Sequence, residues 1–255
     1  QAEDGIRDCL LSRGLGDVYK RQEIDIIGQE KLANSKVSII GLGGLGSPCS
    51  IYMAASGVGN LNLFDDDKVE LSNLQRQIIF NSADVGEEKS SIAKDKLLKL
   101  NENIICNSHS VRVNESNIND LLEGSDCVID CSDNFETRKA INKYCFETKK
   151  SLISGACIGW QGQIFILRFS CEDSPCYECL FPRSSYLSEE TCSESGIAPY
   201  VLSYVASILT MLITNFVISG HSAPTKLYRI DAKKMELSSS TLPSDPSCII
   251  CGSDD

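Results

Sequence analysis

Glycines at 41, 43, 44 and 46 follow an apolar, β-branched stretch, 37–40, and precede a stretch, 47–56, that can continue as a helix. Such a turn lets the backbone come close to a phosphate, and a helix start offers free N–H groups and the positive end of its dipole. Nineteen positions after Gly46, Asp65 closes a second strand, 60–64, where a carboxylate can accept hydrogen bonds from ribose hydroxyls. Gly41, Gly43, Gly44, Gly46 and Asp65 make a dinucleotide-type fingerprint that does not say which nucleotide is bound. A glycine-rich strand–helix turn without a ligand is the plainer alternative.

Further candidates follow in order. Residues 71–77 form a polar cluster in which Arg76 can fork onto phosphate oxygens, while Ser72-x-x-Gln75 also satisfies a capping box at a helix start. Lys89 falls at the expected start of a helix, where its charge opposes the dipole unless an anion sits nearby; a solvated surface lysine is the other reading. Asp133 follows a strand at the sheet edge where such folds bind ligands, so it can meet a metal–phosphate; Asp133-x-x-Glu136 can equally be an N-cap and its partner.

The clearest metal signal is the two Cys-x-x-Cys pairs, Cys176/Cys179 and Cys248/Cys251. Four thiolates make a closed tetrahedral Zn²⁺ site with no catalytic vacancy, and here one would tie the C-terminal part back onto the body. Four free cysteines are the alternative. Cys192 has no partner and lies between Glu190 and Glu194, whose charges oppose the electropositive setting a nucleophilic thiolate needs.

The elements that must position these residues alternate. Strands are expected at 37–40, 60–64, up to Val111 and Val113, at 126–130 and at 152–154, with helices at 47–56, 89–101 and 135–148 between them. This pattern predicts a doubly wound, mostly parallel α/β sheet, Rossmann-like, with the site at the strand carboxyl edge. Residues 163–169 alternate like an antiparallel or edge strand, and 227–230 with 235–237 can add a hairpin. The chain reads as one domain, 23–255, with the cysteine-bearing connection at 171–198 inserted on top. Residues 1–22 lack periodicity, resemble read-through of sequencing-adapter DNA, and are set aside as non-native or disordered.

Composition narrows the partners. A chain of 255 residues supports a core without staples, and a formal net charge of −11 argues against nucleic acid or an anionic membrane. Thirteen cysteines without a signal peptide suit a cytoplasmic chain with free thiols and a metal site. The uncharged run 197–220 is long enough to span a bilayer, yet a span would put the two cysteine pairs on opposite sides. A buried core or interface helix is therefore expected.

In order, these motifs resemble the ThiF/MoeB/HesA family of ubiquitin-activating-type adenylyltransferases. The likeness runs from about residue 23 to 252. It rests on 41–46, 64–67, 71–77, 84–86 with Lys89, 130–138, Gly162-Gln163, 175–180, Cys192 with Gly196, and 248–252. It implies ATP and Mg²⁺, and as substrate the C-terminal Gly-Gly carboxylate of a ubiquitin-like sulfur-carrier protein. It further implies that Asp65 holds the ribose, that Asn73, Arg76 and Lys89 address phosphates, and that Asp133 takes Mg²⁺. Gly41, Gly43, Gly44, Gly46, Asp67, Ser72, Leu74, Gln75 and Asn134 would complete the nucleotide site, and Cys176, Cys179, Cys248 and Cys251 would hold structural zinc. Cys192 matches a cysteine that bonds to the carrier in some members only. Arg21 stands where members carry an arginine that reaches into the partner subunit's ATP site, a match that counts only if the adapter-like stretch is native. A homodimer is expected.

Two rivals share parts of this pattern. An NAD-dependent oxidoreductase would use the glycines and Asp65 but leaves Arg76, Lys89, Asp133 and the paired cysteines without a role. A non-catalytic nucleotide-binding scaffold of the same fold is the other. The sequence does not choose among carrier proteins or pathways.

Overall fold

The computed structural model describes residues 24–171, 174–182, 196–220 and 225–252. Helix α1 (Asp25–Asn34) leads into strand β1 (Lys36–Ile40), helix α2 (Gly46–Ser56) and strand β2 (Asn60–Phe64). Helix α3 (Lys89–Leu100), strand β3 (Ile105–His109), strand β4 (Cys127–Asp130) and helix α4 (Phe135–Glu147) follow. The chain then forms β5 (Ser151–Ile158), β6 (Gln161–Arg168), helix α5 (Pro199–Ile218), β7 (Lys226–Asp231) and β8 (Glu236–Thr241).

Short apolar runs such as 37–40 and 127–129 are buried on both faces, as the strands of a parallel sheet must be. They form one eight-stranded sheet in the order β3-β2-β1-β4-β5-β6-β7-β8, parallel through β5 and antiparallel beyond. The strand order reverses between β1 and β4, so their carboxyl ends open the crevice where such folds bind ligands. Register puts Ile40 level with both Phe64 and Asp130, so Gly41, Asp65 and Cys131 leave the sheet side by side.

Helices α1, α2, α3 and α5 share one core, and α4 with the four-cysteine segments closes the other. The long uncharged helix α5 packs against α1, α2, β5 and β6, and Lys31 of α1 donates to the carbonyl of Ile218 at its end. By length and composition it could cross a membrane, yet Val205, Leu209, Ile213 and Phe216 are fully buried inside the protein.

Several boundaries differ from the sequence reading. The third strand ends at His109, opposite Phe64, because β2 offers no partner beyond that point. Val113, read from sequence as its end, is instead buried in the α4 core, where its carbonyl accepts from Thr137 Oγ1 at 3.1 Å. The fifth strand extends to Ile158, because the hairpin with β6 supplies antiparallel partners along its whole length.

Phe216→Ala should cost about 3–5 kcal/mol of stability in denaturant unfolding, as expected for emptying a buried aromatic site. Met211→Ser, on the face of α5 where Met211 is 52 % exposed within the chain, should cost the separate protomer no more than about 0.5 kcal/mol. Equal losses would mean that the buried face of α5 is misassigned.

Candidate nucleotide site and four-cysteine cluster

The crevice begins with an unusually close approach. Gly41 has φ +87°, a left-handed conformation, and its N–H donates to the Phe64 carbonyl at 2.8 Å. A Cβ on Gly41 would lie 2.8 Å from the Cys131 carbonyl, and one on Gly46 would lie 1.8 Å from the Gly41 carbonyl. A Cβ on Gly44 would meet Leu202 of α5 at 2.5 Å. Gly43 differs: its nearest neighbour would be Gln77 Nε2 at 3.9 Å, so this part of the turn has room beside it. Helix α2 starts with no side-chain cap on its first N–H groups.

Asp65 is stapled to this turn. Its Oδ2 accepts from Leu42 N at 2.6 Å and its Oδ1 from Asp67 N at 2.9 Å. Burial pushes its pKa above the ordinary carboxylate value, and the nearby Lys89 charge partly offsets that.

Lys89 is not a solvated surface residue. It is 4 % exposed at the start of α3, and its Nζ meets Asp67 Oδ2 at 2.8 Å, while the Asp67 side chain is 58 % exposed. A buried ammonium with one exposed carboxylate partner sits where a phosphate could join or replace that partner.

The 71–77 segment caps differently from the Ser72-x-x-Gln75 reading. Glu70, two positions earlier, is the N-cap of a short 3₁₀ turn, Leu71–Asn73, with Asn73 as its reciprocal partner. Glu70's own carboxylate reaches the turn, so Ser72 is left to bond to it at 3.1 Å. Asn73 is buried, and Arg76 Nη1 donates to the Ser72 carbonyl at 3.0 Å. Leu74 turns toward the core rather than the crevice, and Gln75 is exposed. Gln77, absent from the residues singled out by sequence, is 3 % exposed with an unpartnered Oε1, beside Gly43. Only its burial marks it, and burial at one polar position in a polar run is not visible in the letters. Ser47 Oγ, also missed, accepts from Ile79 N at 2.9 Å and ties this loop to α2.

Asp133 is not a helix cap. Asn134 caps α4, its Oδ1 accepting from Thr137 N at 2.8 Å, which leaves Asp133 exposed on the turn after β4. That turn abuts the glycine turn: a Cβ on Gly41 would lie 3.1 Å from Ser132 N. Leu42, Asp65, Asp67 and Lys89 are thus linked by hydrogen bonds at the carboxyl ends of β1 and β2, with Gln77 beside Gly43 on the glycine turn and Asp133 on the adjoining turn. A lone exposed carboxylate fits Mg²⁺, which takes few protein ligands and completes its shell with phosphate and water.

The four cysteines also meet. Their Sγ atoms lie within 4.8 Å of one another, with Cys176–Cys248 at 3.6 Å and Cys179–Cys251 at 3.2 Å. Four sulfurs at this spacing, with Cys176 buried and the rest half-buried, suit a closed tetrahedral Zn²⁺ site. Cys192 and Arg21 lie outside the described residues.

The chain is similar to several known proteins. The model of the ThiF family matches residues 18–250. The chain is 37 % identical over 242 residues to the molybdopterin-synthase adenylyltransferase of Escherichia coli K12, spanning 92 % of this chain and 95 % of that one. It is likewise 37 % identical over 239 residues to the sulfur carrier protein ThiS adenylyltransferase of the same organism, covering 92 % and 94 %. Among solved structures, E. coli MccB with ATP superposes with a TM-score of 0.76 at 25 % identity, over 89 % of this chain and 69 % of that one.

Burial pushes the metal-free thiol of Cys176 up to about 12, and burial with the neighbouring Cys179 pushes Cys251 up further. Both are therefore protonated near neutral pH, whereas zinc binds thiolates. Adding Zn²⁺ to metal-free protein at pH 7 should acidify a weakly buffered solution as one ion binds per chain. Uptake without proton release would mean that the cysteines are not the ligands.

Proposed function

Because this chain belongs to the ThiF family, we propose that it is an adenylyltransferase that uses ATP to activate the C-terminal glycine carboxylate of a ubiquitin-like sulfur-carrier protein, releasing pyrophosphate. The observation that carries this reading is the convergence of the glycine turn, Asp65, buried Lys89 and exposed Asp133 at the reversal point of the sheet. Two relatives named as adenylyltransferases, one for molybdopterin synthase and one for the carrier ThiS, match nearly the whole chain and support the substrate class.

The chemistry suits these residues. A carboxylate is ionised at pH 7 and attacks the α-phosphate without a general base, so catalysis is positioning plus neutralisation of growing phosphate charge. Asp65 holds the ribose, and the turn at Gly41, Gly43, Gly44 and Gly46 admits the nucleotide backbone-close. Lys89, Arg76 and Asn73 address the phosphates; Asp133 holds Mg²⁺, which neutralises phosphate charge when bound. Asp67 is Lys89's partner until a phosphate takes its place. Cys176, Cys179, Cys248 and Cys251 hold a structural Zn²⁺.

The same reading makes 23–255 one adenylyltransferase domain that works as a homodimer in the cytoplasm, without nucleic-acid or membrane partners. In support, α5 presents an uncharged outer face with Tyr204, Ser207, Met211 and Thr214, and the buried thiols of Cys49, Cys127 and Cys145 suit a reducing compartment. The NAD oxidoreductase alternative leaves Lys89, Asp133 and the cysteine cluster unused.

Asp133→Ala should lower carrier-dependent pyrophosphate release by roughly a hundredfold or more while zinc content stays unchanged, as expected for losing a phosphate-bound cation. Near-normal release by this variant would overturn the assignment.

A further inference from the structure

One buried cation has no part in this scheme. Arg138, on the first turn of α4, has a side chain only 12 % exposed. A guanidinium so placed must find acceptors for its donors or it would cost the fold heavily. Several of its bonds are to backbone carbonyls. Nε and Nη2 both donate to the carbonyl of Ser132, Nε at 3.2 Å, and Nη2 also approaches the Gly155 carbonyl at 3.4 Å. The carboxylate of Asp130 lies 3.8 Å from Arg138 Nε. Asp130 is itself occupied: it accepts from Ser132 N at 3.0 Å, Ser132 Oγ at 2.6 Å and Ser154 Oγ at 2.7 Å.

Ser132 is therefore gripped from both ends. Asp130 takes its N–H and hydroxyl, and Arg138 takes its carbonyl, which belongs to the peptide unit that leads directly into Asp133. With Asn134 fixed as the cap of α4, Asp133 is clamped on both sides while its own carboxylate stays exposed.

The same helix reaches the second core. Tyr177, next to Cys176, packs its ring among Phe135, Phe165 and Phe181. One turn along α4, Asn142 Oδ1 accepts from Tyr177 N at 2.8 Å. Arg138 and Asn142, spaced i and i+4, thus join the start of the cysteine segment to the Asp133 turn.

We propose that Arg138 is a positioning residue, holding the Asp133 turn through the Ser132 carbonyl from the same helix that holds the start of the four-cysteine segment through Asn142. The inference rests on the adenylation reading, in which Asp133 meets a divalent cation. Lysine at this position keeps a positive charge beside Asp130 but lacks the planar fork that puts Nε and Nη2 on one carbonyl. A role limited to charge balance would survive that change, whereas a positioning role would not.

The test measures Mn²⁺ binding by the electron paramagnetic resonance signal of free Mn²⁺, with zinc-loaded protein saturated with a non-hydrolysable ATP analogue. Binding of the analogue without added divalent cation, zinc content and thermal melting are measured alongside. Arg138→Lys should weaken Mn²⁺ about tenfold, the usual size for losing a group that orients a metal ligand. Analogue binding without Mn²⁺ should stay within about twofold, and zinc should remain at one ion per chain. Unchanged Mn²⁺ affinity in Arg138→Lys overturns the proposal. Equal losses with and without Mn²⁺ also overturn it, because Arg138 would then support the whole pocket. If the parent chain binds the analogue with no Mn²⁺ dependence, the reading of Asp133 fails, and this inference with it.

Discussion

The site depends on how closely the end of β1 approaches the start of α2. A methyl group on Gly46 would sit 1.8 Å from the Gly41 carbonyl, so any larger residue must push the helix off the strand end. Three consequences follow from that one contact. The start of α2 carries no side-chain cap, Leu42 N falls within reach of Asp65, and the 131–133 turn lies against Gly41. The four glycines consequently do different things. Gly41 and Gly46 make room for backbone and Gly44 for Leu202, whereas Gly43 leaves open space beside Gln77, where a ligand could lie.

Electrostatics is arranged on the same scale. A chain with net charge −11 repels anions at long range, so an anionic ligand needs local cations and dipoles. Lys89 is one buried cation at the crevice, paired with the exposed Asp67. On the adenylation reading, the protein carries its phosphate-binding cation half-satisfied, and nucleotide binding completes the pair. The second core serves the first through α4, whose early turns contact both the Asp133 turn and the cysteine segment.

Much of this was legible in the letters because local patterns dominate it. Apolar runs followed by glycine or acidic turns located β1, β2 and β4 to within a residue, and Cys-x-x-Cys spacing paired four cysteines that the fold brings together. What stayed hidden is tertiary. Val113 has strand-like chemistry, but β2 runs out of partners first and α4 buries it instead. Glu70 outcompeted Ser72 as a cap because its longer side chain reaches the turn, and Asn134 outcompeted Asp133. Gln77 and Arg138 are polar letters in polar stretches, and only three-dimensional burial sets them apart.

The central claim is that this crevice transfers an adenylyl group from ATP to the C-terminus of a carrier. The most direct measurement is ATP–pyrophosphate exchange with Mg²⁺, on folded, zinc-loaded protein, across a panel of Gly-Gly-terminated carrier proteins. The account predicts exchange that appears with a cognate carrier and vanishes when its terminal glycines are removed. Tight ATP binding without exchange for any carrier would contradict it and favour a nucleotide-binding scaffold of the same fold.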